Sequence, residues 1–518
     1  MTARLLKQTL VSAALITVGG NVLGRLFGYL REAVVAGYFG TSAVLDVFLV
    51  AFIIPEIITF VVFAALPTTV IQAAATIDPQ DRARESSLFR RGFAACAGIM
   101  FVGTAALVLL RHEVIFWTAP ELAPESAGMG AHLLGILALV IFFRGLEAYF
   151  RAWLFRKKHF VAPAMSPLVL NGVLIAAILL GYGTLDIDAL AYGWLAASVL
   201  LCVWQAGMAW AIVKPVRTER GAGAPVGPLI KLTLAVAAIE AAFLFFPAID
   251  RFLAVRYLGE GEIAALRYAL FLSQVPPGML VVTFSAAAFP WISDMAAAEP
   301  ARLISFYRET VRLILFVMAP VAAGLILFAP QVVTVAFRRG AFDQTSVLLT
   351  TGPLVCYALG LLFYGVYFYQ VRFYYAKNLL ARLGVILGLT LLLKLAVSIA
   401  LVRWLAADGL ALATSLAWLA SAVIMTVDLG RKSSLTLSHE MPGWLLRMII
   451  STLGACVVWI GVRELWLPPA DTSLTAQFAW LLGIGLVGAV VYIGIASALK
   501  LPEPGRLIET ITSRLARR

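Results

Sequence analysis

Charged side chains recur inside long apolar stretches of this sequence. The stretch GNVLGRLFGYLREAVVAGYFG, residues 20–40, carries Arg25, Arg31 and Glu32. A charge at the centre of a bilayer costs at least about 3 kcal/mol, so ionisable residues in a membrane span usually face a bundle interior or a watery cavity. Arg25 and Arg31 lie about 9 Å apart along a helix axis, and the planar guanidinium matches phosphate geometry. The glycines in the same stretch allow bending and close approach. This helix therefore suits a cavity that receives an anion.

Further ionisable residues lie inside predicted spans of both halves of the chain. They are Asp46, Glu56, Arg144 and Glu147, then Glu240, Asp250, Arg251, Lys394 and Asp428. A structural interpretation competes with a functional one. Arg144, Glu147 and Arg151 have the spacing of residues that pair along one helix face. Asp46, Asp250 and Arg251 lie near span ends, where side chains can reach the interface.

Motifs for other chemistry are absent from the sequence. The four histidines have no metal-ligand spacing, and there is no phosphate-binding loop, HExxH motif or nucleophile elbow. The four cysteines lie in apolar runs and are typical of packing residues. We therefore expect no enzyme activity, no metal and no cofactor. Without an ATP site, uphill transport would use a Na⁺ or H⁺ gradient or the membrane potential.

The composition indicates which elements must position these residues. The chain has 518 residues, of which 62% are hydrophobic and 13% are charged. A soluble domain is about half apolar and about a quarter charged. The apolar excess recurs in windows of about 20 residues, the length that crosses a bilayer as a helix. We predict an all-α polytopic membrane protein with fourteen spans, near residues 8–30, 44–76, 88–110, 130–153, 161–182, 187–213, 228–256, 263–292, 309–330, 345–371, 379–402, 408–429, 443–465 and 476–499.

The loop charges predict the orientation of these spans. Alternate loops and both tails are rich in lysine and arginine, whereas the opposite loops hold acidic residues such as Glu113, Glu121 and Asp471. By the positive-inside rule, both termini are cytoplasmic, which agrees with an even span count. The net charge of +12 is explained by this rule, and no nucleic-acid-binding module accompanies it.

An internal repeat organises the spans. A shift of about 219 residues superimposes Tyr38 on Tyr257 and Lys158 on Lys377, and a shift of 220 places the DALA sequence at 188 on DGLA at 408. Spans 1–6 and 7–12 are therefore predicted to be two lobes in parallel pseudo-repeat, a common transporter plan. We predict an N-lobe at 1–220, a C-lobe at 221–435, and two additional helices with a cytoplasmic tail at 436–518.

Several of these motifs resemble one known family. LGRLFGYLREAVVAGYFGTSAVLDVFLVAFIIP, AIDRFLAVRYLGEGEIAALRYALFLSQVPPGML and FRRGAFDQTS are similar to stretches of the MviN/MurJ lipid II flippases, in the multidrug/oligosaccharidyl-lipid/polysaccharide exporter superfamily. The resemblance implies a flippase in the bacterial cytoplasmic membrane that moves an undecaprenyl-linked glycan precursor by alternating access. It implies that Arg25, Arg31 and Asp46 line a central cavity, where Arg144 and Glu147 join them as candidates. The implied partners are the lipid substrate, the bilayer and other glycan-synthesis or polymerase membrane proteins, and we expect a monomer.

The sequence also departs from the family pattern. Thr59, Phe60 and Phe271 stand where the family carries arginines. The substrate is therefore either lipid II or a related envelope or exopolysaccharide unit. Two other functions stay open. One is a cation-coupled exporter of small amphipathic molecules, with Glu240, Asp250 and Lys394 as the ion-coupling residues. The other is a transport-inactive scaffold of a glycan-synthesis complex.

Overall fold

The computed structural model describes residues 10–75, 77–78, 80–215, 227–437, 440–465 and 472–505. Over these ranges the chain forms helices and no strand. The all-α prediction is confirmed. The helices are α1 (Leu10–Phe39), α2 (Ala43–Ala75), α3 (Arg82–Leu109), α4 (Arg111–Thr118), α5 (Pro124–Arg156), α6 (Val161–Gly181), α7 (Asp188–Val213), α8 (Gly227–Tyr257), α9 (Glu262–Pro277), α10 (Thr283–Ala298), α11 (Pro300–Leu327), α12 (Ala329–Phe337), α13 (Gln344–Ala376), α14 (Leu380–Ser433), α15 (Met441–Leu465) and α16 (Leu474–Ala498).

The predicted spans coincide with these helices. Eleven helices among the described residues are long and apolar enough to cross a membrane. One of them, α14, has 54 residues and covers two predicted spans, which meet at Ala406, where φ is 47° and ψ is −128°. The number fourteen itself stays a prediction.

The internal repeat is visible in helix lengths and backbone conformation. Helices α5 and α13 both have 33 residues and begin at positions 124 and 344, which are 220 apart. Left-handed φ values occur at Asp186 and Ala406, and again at Lys214 and Ser434, with the same offset of 220. The two copies therefore share backbone turns even where the side chains at those turns differ.

The chain divides into two compact units. Unit 1 is Met1–Ala264 with Arg339–Phe342, and unit 2 is Ala265–Arg338 with Asp343–Arg518. The lobe boundaries predicted at 220 and 435 stay a prediction. In unit 1, α5 packs between α2, α3 and α7, while α8 packs on α2. The aromatic side chains of Phe89, Tyr149 and Trp153 are fully buried where α3 meets α5.

Unit 2 places α13 against α11 and α14, and pairs the two C-terminal helices α15 and α16. Trp459 of α15 packs edge-on against Phe328 and donates from Nε1 to the Ile484 carbonyl at 2.8 Å. Tyr492 of α16 donates to the Phe316 carbonyl at 2.9 Å. The two additional helices are therefore fixed to α11 and α12 of this unit through aromatic side chains with satisfied polar atoms.

Three short features were not predicted. Helices α4 and α12 follow α3 and α11 at equivalent repeat positions. A π-helical turn, Gly278–Val282, separates α9 from α10 directly after Pro276 and Pro277. Proline lacks the amide that continues the α-helical hydrogen bonds, which explains why the irregular turn begins there.

The four residues Arg339–Phe342, which belong to unit 1, pack against the end of α1. The Ala341 amide donates to the Gly37 carbonyl at 2.8 Å. Gly340 and Gly40 have φ values of 55° and 56°, and a Cβ on either would collide with backbone of the facing segment. Glycine is needed at both positions, because only it accepts this conformation and this approach.

Candidate functional site

Helix α1 positions its arginines by packing closely on α6. A Cβ on Gly20 would lie 2.6 Å from the Ala164 carbonyl oxygen, and one on Gly24 would lie 2.7 Å from the Pro167 Cβ. Asn171 of α6 donates to the Gly24 carbonyl at 3.3 Å. This is the close approach that the glycines predicted, and it sets the rotation of α1 about its axis.

Arg31 lies on this packed side of α1 and is largely buried. Its guanidinium stands 5.9 Å from the ring centroid of Trp194 on α7 and forms an ion pair with the buried Glu32. Arg25, by contrast, is exposed. Six residues correspond to about 120° around a helix, so the two predicted arginines point to different sides of α1.

A second cluster has Glu147 at its centre. This carboxylate is 0% exposed and forms an ion pair with Arg144 one turn earlier on α5. Gln205 of α7 donates to Glu147 Oε1 at 2.8 Å and lies 2.7 Å from the Ser166 hydroxyl of α6. The pairing of Arg144 with Glu147 along one helix face is confirmed, and α6 and α7 complete the polar contacts of the carboxylate.

The same cluster carries more positive than negative charge. The guanidinium carbons of Arg144 and Arg151 lie 4.1 and 5.5 Å from the ring centroid of Phe63 on α2. Within the described part of the chain, Arg144 Nε is buried without a hydrogen-bond partner. Two arginines around one carboxylate leave a formal charge of +1, held against an aromatic ring, which favours an anion nearby.

A third ion pair connects α2 to α8. Arg251 pairs with Glu56, which directly follows Pro55 in the interior of α2. Asp250, its neighbour, is 3% exposed. The interpretation that Asp250 reaches the interface is therefore wrong, because its side chain points into the protein.

Asp46 was predicted to line the cavity, with a side chain that reaches the membrane interface as the alternative. The structure shows a different contact, and the cavity role stays a prediction. The side chain is buried, and its two oxygens accept hydrogen bonds from the amides of Gly261 and Ala264 at 2.6 and 2.7 Å. These amides belong to the start of α9, where a helix has unpaired donors and a positive dipole end. Asp46 therefore caps a helix that lies more than 200 residues away in sequence.

The role of the three residues predicted for ion coupling stays a prediction. Lys394 is fully buried in α14 of unit 2, on the same helix face as Thr390 and Ser398. Asp250 belongs to unit 1, and the side chain of Glu240 lies outside the described residues. Among the described residues, no group of three histidine, cysteine or acidic side chains could bind a metal ion.

Sequence reasoning missed Gln205, Phe63 and Trp194. These side chains are neutral, whereas only charged residues stand out clearly inside an apolar span. Gln205 had a usable signal, because an amide inside an apolar span usually bonds to another helix. The aromatic partners had none, since phenylalanine and tryptophan are common throughout these spans.

Comparison with known proteins shows which family has this architecture. The family model described as "Lipid II flippase MurJ" matches residues 35–477. The chain belongs to the MurJ family. A probable lipid II flippase MurJ from Rhizobium tropici is 27% identical over 93% of this chain and 92% of the relative. The solved structure of a lipid II flippase MurJ in an inward closed conformation aligns with a TM-score of 0.78 at 21% identity, covering 93% of this chain and 98% of that one.

The fold is also shared with a more distant transporter. An inward-facing MATE family transporter of the MOP superfamily aligns with a TM-score of 0.67 at 14% identity, over 81% of this chain and 98% of that chain. The MurJ-like fold thus extends over nearly the whole chain.

Proposed function

We propose that this protein is a flippase that moves an undecaprenyl-(pyro)phosphate-linked glycan precursor from the inner to the outer leaflet of the bacterial cytoplasmic membrane. The family match over residues 35–477 carries the proposal. The arginines of unit 1 agree with it, because Arg31 and the Arg144–Arg151 pair hold positive charge beside apolar helices. A pyrophosphate is the part of such a lipid that needs this charge.

In this mechanism the protein is a transporter and catalyses no covalent step. Alternating access would expose the arginines first to one leaflet and then to the other. The ring contacts of Arg31 with Trp194 and of Arg144 with Phe63 hold the two guanidinium groups in place while an anion binds. The driving force is either a Na⁺ or H⁺ gradient or the membrane potential, which supplies about 2.3 kcal/mol per charge per 100 mV. We propose a monomer with both termini in the cytoplasm that works beside glycan-synthesis enzymes.

The glycan is either lipid II or a related unit. The polar residue Thr59 and the exposed Phe60 on α2 stand where the family carries arginines, and Phe271 does so on α9. The Arg144–Arg151 pair around Phe63 lies against the same helix α2 and supplies positive charge there. Arg144 and Arg151 thus supply positive charge in place of the arginines of the family pattern. This difference favours a glycan head group that binds in a different position from that in other family members.

Complementation tests the function. A bacterium depleted of its own lipid II flippase is given this chain, and growth is measured with membrane levels checked by immunoblot. Growth shows lipid II transport. Lysis with normal membrane levels excludes lipid II and directs the search to the surface polysaccharide lost when this gene is deleted.

Substitutions of Arg31 then test the site in whichever assay responds. Arg31→Ala is expected to abolish transport and Arg31→Lys to leave it intermediate, because lysine keeps the charge without the bidentate fork. The control is Arg302→Ala, whose side chain is 70% exposed on α11. Full activity of Arg31→Ala at normal levels would exclude this arginine from the substrate site.

A further inference from the structure

A cavity of about 790 Å³ lies in unit 1, away from the arginine clusters. It is bounded by the end of α1, the start of α5 and the turn between α6 and α7. Ala341, of the segment that docks on α1, also lines it. These elements meet at the end of unit 1 opposite to the loops rich in lysine and arginine, which is the predicted external end.

The lining combines carboxylates with aromatic rings. Asp186 and Asp188 face the cavity, and His132 Nε2 lies 3.1 Å from Asp188 Oδ2. Among the described residues that line it, none is lysine or arginine. The formal charge is −2 with His132 neutral and −1 with it protonated. An anion, including the phosphate of a lipid substrate, is therefore disfavoured here.

The rings favour a cation over a neutral sugar. Tyr38 and Phe39 both pack edge-to-face against Tyr182, with centroids 4.6 and 5.5 Å away and interplanar angles of 68° and 76°. Rings inclined to one another in this way offer no flat platform for a sugar. Aromatic rings and two carboxylates in one lining suit a compact organic cation.

The second repeat shows that the fold does not require these residues. An offset of 220 relates Asp188 to Asp408, but relates His132 to Gly352 and Asp186 to Ala406. In unit 2, the carboxylate of Asp408 packs directly over Gly352, where a Cβ would collide with it. The same backbone is thus built there with only one of the three polar side chains.

We propose that the cavity bounded by Tyr182, Asp186, Asp188 and His132 binds a primary ammonium group at the external end of unit 1. One carboxylate is free of His132 and can accept directly from the ammonium, and the second shares its oxygens between His132 and the ligand. The ammonium has two chemical sources, a free amine or an amino-bearing lipid head group at the outer surface. The proposal does not depend on which lipid is transported.

Binding to the purified full-length protein in nanodiscs tests this site. Putrescine is titrated by calorimetry, with N-acetylglucosamine and CaCl₂ as comparison ligands. We expect saturable binding of putrescine that Asp186→Asn and Asp188→Asn each weaken by about tenfold or more, which corresponds to one charge-assisted hydrogen bond. Asp408→Asn, the matched carboxylate of the other repeat, is expected to bind like wild type. His132→Ala is expected to bind at least as tightly, because it releases Asp188.

If one aspartate variant fails to fold, the other still tests the proposal. Each variant is used only if its elution volume and its unfolding midpoint match those of the wild-type protein. Wild-type putrescine affinity in the folded variants overturns the proposal. An absence of putrescine binding also overturns the proposal, as does saturation of the site by the sugar or by Ca²⁺ alone. Nanodiscs of phosphatidylethanolamine and of phosphatidylglycerol separate the two sources. Weaker putrescine binding in the first indicates competition by the lipid head group, and equal binding indicates a free amine.

Discussion

The buried carboxylate of Glu147 depends on its partners more than on its position in the helix. It has no contact with solvent, and it is stabilised by Arg144 and Gln205. Removing one member of a buried ion pair leaves an uncompensated charge, whereas replacing both members by apolar residues is often tolerated.

Glu147→Ala is therefore expected to destabilise the protein by about 3–5 kcal/mol, seen as a lower unfolding midpoint in detergent. The double variant Arg144→Met/Glu147→Leu is expected to recover most of that stability. If Arg144 binds the substrate, the double variant is folded but does not transport. A double variant as unstable as the single one would contradict the assignment of this pair.

Asp46 provides a second prediction at this scale. Asp46→Ala leaves the amides of Gly261 and Ala264 without an acceptor, at about 1–3 kcal/mol for each buried donor. Asp46→Asn retains one oxygen and is expected to lose about half as much. Unfolding midpoints measure the difference, with Asp294→Asn, an exposed residue of α10, as control. Equal midpoints for all three variants would exclude the capping role.

The sequence predicted the buried positions of these residues better than their contacts. A charge inside an apolar run is readable from sequence, and Arg31, Arg144 and Glu147 are indeed packed inside unit 1. The role of Asp46 was not readable, because its partners lie more than 200 residues away and are backbone amides without a side-chain signal.

At the scale of helices, the contact between α1 and α6 depends on two glycines. Gly19 provides a matched control in the same helix, because nothing lies within 4 Å of the position of its Cβ. An alanine in a helix interior gains up to about 1 kcal/mol over glycine, and a clash in a packed contact costs about 1–3 kcal/mol.

Gly20→Ala and Gly24→Ala are therefore expected to lower the unfolding midpoint and to disturb the position of Arg31. Gly19→Ala is expected to be neutral or stabilising. Thermal unfolding of the three variants compares them directly. If all three behave alike, the helices are not in the close contact described.

Helix order and repeat were predictable because apolar length and loop charge are local features. The short helices α4 and α12 were not, since they have eight and nine residues and fall below the length of a span. The break at Ala406 was also not predictable from the residue type, because alanine is a strong helix former. Its left-handed φ recurs at Asp186, so the turn is set by the shared topology.

For the whole molecule, loop charge predicts that both ends of the chain are cytoplasmic. Green fluorescent protein fused after residue 518 is expected to fluoresce, whereas alkaline phosphatase at the same position is expected to be inactive. A fusion in the α3–α4 turn, at residue 110, is expected to show the opposite pattern. A phosphatase-active C-terminus would reverse the orientation, and with it the external location of the ammonium cavity.

The segment Arg339–Phe342 has a consequence for how this chain can be divided. These four residues belong to unit 1, although the helices before and after them, α12 and α13, belong to unit 2. The polypeptide therefore passes between the units three times, and no single cut separates them cleanly. Of two half-length chains divided at residue 264, the first would lack these four residues and the second would carry them, so co-expressed halves would have to dock them between separate molecules. A division at residue 264 therefore does not give two self-contained modules.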